Sequence, residues 1–222
     1  MNDHSTTFLN NRSRLVTITT IQSISMRVKV RNAEFDRVAV LRSAMTAFLA
    51  KGYTKTSMQD LKQATGLHPG SIYCAFENKR GLLLAALGQY KADRNAEFSR
   101  LFSGEGSKLE QVEGYINHVV EECLACDSAR DCLLAKALNE VAEQDDEIQT
   151  FISGNLMDWE NAIAQQLQLA IDAGEMSADK NAQHLAQFMV MGIYGLRTFA
   201  HTHPKPEVLR RLGNKLFEDI CR

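Results

Sequence analysis

Apolar residues recur every three or four positions along most of this chain, which is the spacing of a single buried helical face. In the segment "AEFDRVAVLRSAMTAFLAKGY" the apolar set consists of Val38, Leu41, Ala44, Met45, Phe48 and Leu49. Gly52 follows directly and predicts a C-terminal cap. We find no clear alternation of apolar and polar residues between glycines, which is the pattern that indicates β-strands. The pattern therefore predicts an all-α protein.

Two short helices follow Gly52, separated by a break. The first, in "TKTSMQDLKQAT", has Thr56 or Ser57 as its N-cap and stops at Gly66. The second lies in "GSIYCAF", after a proline and a glycine. A longer helix then begins near Asn78, a plausible N-cap. We interpret residues 57–76 as a helix-turn-helix inside an N-terminal three-helix bundle.

The rest of the chain predicts a larger C-terminal helical domain. Its helices are expected near 108–125, 132–142, 146–173, 178–201 and 205–220, and "SGEGS" at 103–107 is the clearest break before them. We assign residues 33–94 to the helix-turn-helix domain and 95–222 to the C-terminal domain. Residues 1–32 are rich in Ser, Thr and Asn and are interpreted as a flexible arm, although "LVTITTIQSISM" alternates weakly. An alternative is that they precede a functional start at Met26.

Charge is divided unevenly along the chain. Between Met26 and Lys91 there are 11 basic and 4 acidic residues, whereas from Ala92 to Arg222 there are 12 basic and 22 acidic residues. A basic N-terminal part predicts contact with a polyanion. Chance clustering on solvated helix faces is the alternative.

Several classes of protein are not favoured. No apolar run approaches the length of a membrane span, and no signal peptide is evident. Five cysteines without a framework spacing indicate a reduced, cytoplasmic setting. No glycine loop has a lysine at the spacing that phosphate binding requires, and the Cys-x2-Cys lacks a βαβ context. We therefore expect no catalytic site, no cofactor and no resident metal.

The helix-turn-helix suggests DNA binding, because this motif offers the N-terminus of its second helix to the major groove. His68 begins that helix, and Ser71 with the first-turn N–H groups suits phosphate oxygens. Tyr73 and Ser57 are further hydroxyl donors, and Lys79 is expected to reach the DNA backbone. Ile72 and Phe76 are more simply explained as core residues.

The run "VLRSAMTAFLAKGYTKTSMQDLKQATGLHPGSIYCAFENKRGLL" resembles the tetracycline-repressor (TetR) family of bacterial transcription regulators over about 45 residues. The match is carried by Gly52-Tyr53, Thr56-Ser57, Ala64, Gly66, Gly70-Ser71-Ile72-Tyr73, Phe76, Lys79 and Leu82. The resemblance implies a homodimer that places one reading head on each half-site of a palindromic operator in double-stranded DNA. The DNA-facing positions that it implies are Thr56, Ser57, Pro69, Gly70, Ser71, Tyr73 and Lys79.

Two departures from the family pattern concern base recognition. Cys74-Ala75 replaces an aromatic or histidine pair, so a phosphate contact at position 75 is absent. Pro69 replaces a residue that is often polar. Ahead of the first helix, Arg31 with Arg27 and Lys29 either follows the minor groove or belongs to a solvated tail.

In the resembling family the C-terminal helices form a ligand pocket and the dimer interface, and ligand binding releases DNA. Two apolar helices here, in "LMDWENAIAQQLQLAIDAGE" and "NAQHLAQFMVMGIYGLRTFAHTH", are our choice for a four-helix dimer interface. Its predicted residues are Leu156, Ile163, Leu167, Phe188, Gly192, Gly195, Leu196 and Phe199. Ordinary intrachain core is the alternative for these positions.

Three cysteines in "CLACDSARDC" leave three alternatives open. In the first, all three cysteines are inert buried thiols. In the second, one of them is a reactive thiolate near Arg130. In the third, the cysteines bind a soft metal together with His118. The candidate ligand or sensor residues are His118, Cys123, Cys126, Cys132, Trp159 and Phe188.

Together these patterns predict a dimeric, sequence-specific DNA-binding regulator, a repressor released by a small-molecule or thiol-reactive inducer. The alternative is a helical thiol or metal sensor with weakened DNA reading.

Overall fold

Helices occupy most of the residues that the structure, a computed structural model, describes: 37–125, 132–141 and 144–222. The helices within these ranges are α1 (37–51), α2 (Met58–Thr65), α3 (Pro69–Phe76), α4 (Lys79–Leu101), α5 (Lys108–Ala125), α6 (Leu133–Val141), α7 (Asp146–Asp172), α8 (Ala182–Ala200) and α9 (Pro206–Cys221). Since the same ranges contain no strand, the prediction of an all-α fold is confirmed.

Short-range signals account for both ends of α2. The Ser57 hydroxyl accepts a hydrogen bond from the Asp60 N–H at 3.1 Å, and the Asp60 carboxylate accepts from the Ser57 N–H at 2.9 Å. This reciprocal pair is a capping box. The helix ends at Gly66, whose φ of 72° lies in the left-handed region that glycine adopts without strain.

A tight junction joins α3 to α4. Glu77 takes a φ of 65°, and the Asn78 side chain then accepts from the Gly81 N–H at 2.9 Å to begin α4. A Cβ atom at Gly81 would lie 2.1 Å from the carbonyl oxygen of Phe76, so only glycine permits this close approach. The junction therefore places the last turn of α3 directly on the first turn of α4.

Helices α1 to α4 enclose an apolar core of their own, and we call this part of the chain the head. The side chains of Phe48, Leu61, Ile72 and Leu82 are at most 1% exposed and come from α1, α2, α3 and α4 in turn. Leu41, Ala44 and Met45 are also buried, which confirms the buried face predicted for α1. Burial of Ile72 and Phe76 likewise confirms their interpretation as core residues.

A second core lies between α5, α7, α8 and α9. Its fully buried members include Ile116, Cys123, Ile163, Leu167, Ala186, Met189, Leu209 and Ile220. At the start of α5, the Glu175 carboxylate accepts hydrogen bonds from the N–H groups of Lys108 and Leu109 at 3.1 and 2.8 Å. The chain thus has the larger C-terminal helical part that the sequence predicted.

The boundary predicted after residue 94 falls inside α4, which continues without interruption to Leu101. No helix breaker separates Arg94 from Asn95, and helical hydrogen bonding carries on to the turn at 102–107. The domain limits therefore stay a prediction. The arm at 1–32 lies outside the described residues. No helix among those described is both long and apolar enough to span a bilayer.

Side chains of α6 and α4 fasten the head to the C-terminal helices. The Lys136 ammonium donates to the carbonyl of Leu49 at 2.5 Å, and the Glu140 carboxylate accepts from the Thr54 N–H at 3.1 Å. From the first turn of α4, Arg80 forms a two-pronged ion pair with Asp145, the N-cap of α7. This pair holds the pKa of Asp145 down to about 2.

We expect Gly52→Ala to lower the free energy of unfolding by more than Gly66→Ala. Both glycines have a left-handed φ, 78° and 72°, so alanine strains either site by about 1–2 kcal/mol. At Gly52 the new Cβ would also lie 2.1 Å from a Glu140 carboxylate oxygen, while Gly66 has open space. Displacing that carboxylate from the Thr54 N–H costs about 1 kcal/mol more. Chemical denaturation of the two variants checks this, and equal losses would contradict it.

Candidate nucleic-acid interface and ligand cavity

Helix α3 exposes one face and buries the other. Ile72 and Phe76 point into the head core, whereas Tyr73 is 50% exposed. Gly70, Ser71, Cys74 and Ala75 are exposed as well. Small side chains around a single tyrosine leave a shallow surface that another molecule can approach closely. This face contains the residues that the sequence proposed as DNA-facing on the second helix.

The first turn of α3 is partly satisfied within the protein. His68 is the N-cap, and its ring Nδ1 lies 3.4 Å from the Gly70 N–H, a long hydrogen bond. The N–H groups of Ser71 and Ile72 donate to the His68 carbonyl at 2.9 and 3.2 Å. The amides expected to be available for phosphate are therefore already engaged, and the exposed Ser71 hydroxyl is the clearer donor.

Thr56 does not fit its predicted role. Its side chain is 1% exposed, and its hydroxyl donates to the carbonyl of Gly52 at 2.5 Å. This hydrogen bond satisfies a carbonyl that the left-handed turn at Gly52 leaves beyond the end of α1. The neighbouring Ser57 is exposed, but its hydroxyl also lies 2.7 Å from the Asp60 carboxylate. Arg31 lies outside the described residues.

Lys79 also differs from its prediction, because its ammonium points into the head. It donates to the carbonyls of Tyr53 and Thr56 at 2.7 and 2.9 Å and lies 3.5 Å from that of Thr54. The same ammonium lies 4.3 Å from the centroid of the Tyr53 ring. Burial lowers the pKa of Lys79. The side chain closes the turn between α1 and α2 instead of reaching outward to a phosphate.

A cavity of about 280 Å³ opens between α4, α5, α7 and α8, with the start of α6 at its edge. Its wall combines aromatic and polar side chains. The wall includes Tyr90, Arg94, Phe98, Tyr115, His118, Glu122, Cys132, Asn155, Trp159, Tyr194 and Arg197. Three residues that the sequence proposed for ligand binding or sensing lie on this wall: His118, Cys132 and Trp159.

Charges on the cavity wall are paired with one another. Glu122 accepts hydrogen bonds from Arg94 and from Arg197, both at 2.8 Å. Burial alone would raise the pKa of Glu122, but the two guanidinium groups outweigh it and lower that pKa. Glu97 contacts Arg94 at 2.9 Å and the His118 ring at 2.8 Å. The opposed charges of this network cancel.

His118 belongs to this network, and not to the cysteine site that the sequence considered. Among the described residues, Glu97, His118 and Glu122 are the group whose ligand atoms lie close enough, within 4.8 Å, to share a metal ion. Their carboxylates are already bound by arginines, which repel a cation. The set fits a structural ion-pair network better than a metal centre.

Aromatic rings give the cavity its flat, apolar wall. The Trp159 indole N–H donates to the Tyr115 hydroxyl at 2.9 Å, and its ring meets that of Tyr194 edge-on at 5.9 Å. Phe98 packs edge-on against Tyr115 at 5.3 Å. Burial raises the pKa of Tyr115 to about 12, so its hydroxyl stays protonated at neutral pH.

The cysteines lie in different surroundings. Cys132 borders the cavity, with the Tyr90 hydroxyl 3.7 Å from its sulfur. Cys123 is completely buried in the C-terminal core, which excludes a dissolved reagent from its thiol. Cys126 lies outside the described residues. Phe188, also proposed to bind ligand, is 41% exposed on α8 and does not line the cavity.

Half of the predicted dimer residues are intrachain core instead. Ile163, Leu167 and Leu196 are at most 6% exposed because neighbouring helices cover them. A Cβ at Gly192 would lie 2.4 Å from a Leu216 methyl group, so α9 packs on that side of α8. Leu156 is half-buried. The apolar stripe that remains open on α8 consists of Phe188, Met191, Gly195 and Phe199.

Sequence reasoning named His118, Cys132 and Trp159 but overlooked most of the cavity wall, including Arg94, Asn155 and Tyr194. Asn155 offered a signal, because it takes a buried-face position of α7 between Ile152 and Trp159 where an apolar residue is expected. A polar residue at such a position is retained only if something satisfies it. No comparable pattern distinguished the other two from ordinary helix residues.

Two family models match the chain, each over one of its parts. Residues 40–86 match the model described as bacterial regulatory proteins, tetR family. Residues 109–216 match the tetracyclin repressor-like C-terminal domain. The first range contains the helix-turn-helix, and the second contains α5 to α8 and most of α9.

Individual relatives are similar over most of the chain. The HTH-type transcriptional regulator YezE of Bacillus subtilis is 29% identical over 72% of this chain and 82% of its own length. The HTH-type transcriptional repressor ComR of Escherichia coli is 28% identical over 81% of this chain and 86% of its own.

A solved structure shares the fold. A cysteine mutant of the TetR family regulator CifR, complexed with a 26-bp double-strand operator DNA, has a TM-score of 0.73. It is 24% identical, and the match covers 82% of this chain and 95% of that one.

We expect Lys79→Met to lower the free energy of unfolding by about 1–2 kcal/mol, because buried carbonyls lose a charged donor. It should leave the slope of DNA affinity against salt unchanged. Lys62→Met, on the exposed face of α2, serves as the control with little effect on stability. A phosphate contact would give the opposite pattern, a slope smaller by about one per lysine with stability intact. Denaturation curves and binding titrations at several salt concentrations distinguish the two.

Proposed function

Because this chain belongs to the TetR family of transcriptional regulators, we propose that it is a dimeric repressor whose operator binding is relieved by a small-molecule inducer. The family and its relatives are DNA-binding regulators and not enzymes. The proposed homodimer would place one head on each half of a palindromic operator, and inducer binding would release both heads from the DNA. A cytoplasmic location is part of it, since the protein would act on the chromosome.

The observation that carries the proposal is the divided surface of α3. Ile72 and Phe76 anchor the helix, so Ser71 and Tyr73 are held outward on a rigid base. A hydroxyl on such a base can donate to a DNA phosphate and set the position of the helix in the major groove. Pro69, Gly70, Cys74 and Ala75 offer little hydrogen bonding to bases.

Release is proposed to act through α4 and α6, since each contacts both the cavity and the head. Helix α4 contributes Tyr90 and Arg94 to the cavity wall, and its first residue, Lys79, closes the turn after α1. Leu134 of α6 lines the cavity, and Lys136, two residues later on the same helix, donates a hydrogen bond to the Leu49 carbonyl. An inducer that fits only one arrangement of these helices would shift the population toward it.

Cys132 is the proposed point of attack if the inducer is thiol-reactive. Its sulfur borders the cavity, whereas Cys123 is enclosed by the core. This place at the cavity is also the observation in favour of the second candidate function, a thiol sensor with weakened DNA reading. The two candidates differ in one respect: the sensor would bind no specific operator.

The homodimer is proposed to form along the open stripe of α8. Phe188, Met191 and Phe199 are between 41% and 60% exposed, and Gly195 between them allows close helix approach. Leu212 on α9 is a further exposed apolar residue. Contiguous apolar exposure of this kind marks a protein interface.

Tyr73→Phe is expected to weaken operator binding by about tenfold or more, since it removes a hydroxyl that would donate to a charged phosphate. Fluorescence anisotropy with a labelled duplex from the region flanking the protein's own gene measures the effect. Tyr194→Phe makes the same change in the cavity and should leave affinity within about twofold.

Affinity of the unsubstituted protein for that duplex should fall steeply with salt. Absence of any specific complex would overturn the repressor proposal and favour the sensor. If Tyr73→Phe and Tyr194→Phe lost the same operator affinity, α3 would not be part of the DNA interface.

Met191→Glu is expected to convert the dimer to a monomer, because a carboxylate in an apolar interface is desolvated without a partner. Ala96→Glu places the same group at an exposed position of α4, outside the stripe, and should leave the dimer intact. Light scattering coupled to size exclusion measures the mass of each. A dimeric Met191→Glu variant would place the interface elsewhere.

A further inference from the structure

Three buried polar atoms that lack hydrogen-bond partners belong to residues that line one cavity. They are Arg94 Nε, Asn155 Oδ1 and the Tyr194 hydroxyl, and they are the side-chain atoms of this kind among the described residues. All three residues belong to the wall between α4, α5, α7 and α8. A buried polar atom without a partner costs stability, and folded proteins keep few of them. Their convergence on one cavity indicates a bound molecule that supplies the missing partners.

The side chain of Asn155 determines one hydrogen-bonding group that a ligand needs. The residue is 6% exposed, and its Nδ2 group donates to the Phe151 carbonyl at 2.8 Å. A carbonyl can only accept, so this hydrogen bond determines which way the amide faces. Its Oδ1 atom is therefore a buried acceptor without a partner, and a ligand that reaches this atom must bring a donor.

The side chain of Arg94 requires the other kind of hydrogen-bonding group, an acceptor. One terminal nitrogen of its guanidinium is occupied by Glu97 and Glu122, at 2.9 and 2.8 Å. The unpartnered Nε–H can only donate, so the ligand must bring an acceptor as well. The Tyr194 hydroxyl has the Cys132 thiol as a neighbour, and it can donate to a ligand or accept from one. A single group that both donates and accepts, such as a carboxamide, meets these requirements.

Charge on the wall argues against an ionic ligand. Arg94 and Arg197 share Glu122, Glu97 takes Arg94 and His118, and outside them Lys91 pairs with Asp158 at 2.7 Å. The three cations and three carboxylates balance. An ionised ligand would have to leave water without a countercharge, which is costly in a half-enclosed site.

The lining and volume of the cavity further limit the class of ligand that fits. The rings of Tyr90, Phe98, Tyr115 and Trp159 form the apolar part of the wall. At about 280 Å³ the cavity is slightly smaller than the usual range for small-molecule sites, roughly 300–1,000 Å³. This space suits one aromatic ring with a short substituent.

We infer that the cavity binds an uncharged aromatic molecule, about one ring in size, whose substituent both donates and accepts hydrogen bonds. The inference rests on the proposed function, in which this cavity is the inducer site. It adds the chemical class of the inducer and the residues that would select it.

Four probes of similar shape test the inference: benzamide, benzoate, benzylammonium and toluene. Trp159 is the single tryptophan of the chain and lies on the cavity wall, so its fluorescence reports occupancy directly. Benzamide should bind at least about tenfold more tightly than each of the other three. Equal or tighter binding of any of the other three would overturn the inference, and so would the absence of benzamide binding at millimolar concentration.

Two variants locate the hydrogen bonds. Asn155→Leu keeps the volume and removes the acceptor, and Tyr194→Phe removes a hydroxyl. Each should weaken benzamide by about tenfold and leave toluene within about threefold. Tyr194→Phe keeps the inference testable if Asn155→Leu fails to fold. Ser153→Ala, exposed on the same helix, is the control. Unchanged benzamide affinity in both variants would overturn the inference.

Operator binding measured without any probe separates this inference from the proposed function. A protein that binds its operator but prefers benzoate contradicts the inference alone. A protein that selects benzamide but forms no operator complex contradicts the repressor proposal and leaves the ligand class standing.

Discussion

The ammonium group of Lys79 organises the DNA-binding head from the first turn of α4. Its hydrogen bonds to the carbonyls of Tyr53 and Thr56 tie the turn after α1 to the helix that follows α3. Because α3 lies between these two attachments, its inner residues stay in the core and its outer face keeps one orientation. A lysine that sequence patterns assign to DNA thus acts as an internal support for the surface that would meet DNA.

The same helix extends from this support to the cavity, so one continuous helix contacts both the head and the cavity wall. Helix α6 makes a second, shorter link between the cavity edge and the loop after α1. The cavity wall combines paired charges with two buried polar atoms, Arg94 Nε and Asn155 Oδ1, that have no hydrogen-bond partner among the described residues. A bound molecule that satisfied these atoms would stabilise the C-terminal helices, and in the proposed mechanism it would thereby change the position of α4 and α6.

Sequence patterns were reliable where the cause of structure is local. Ser57, Gly66 and Asn78 set helix ends through hydrogen bonds within a few residues, and the predicted helices agree with the observed ones to within a few residues. Patterns failed where a residue's environment depends on a distant segment. The stripe chosen on α8 was wrong at Leu196 because α8 packs within the C-terminal core, and no feature of α8 itself reveals which side is covered.

The sequence by itself determined the helical fold, the helix-turn-helix and the family, because these depend on periodicity, caps and short motifs that survive in any context. Only the tertiary structure decided that Thr56 and Lys79 face inward and that Ile163 is core. It alone brought Arg94, Asn155 and Tyr194, from three separate helices, onto one cavity. The physical reason is that burial and hydrogen-bond satisfaction depend on all the neighbours of a side chain, and most of those neighbours are far away along the chain.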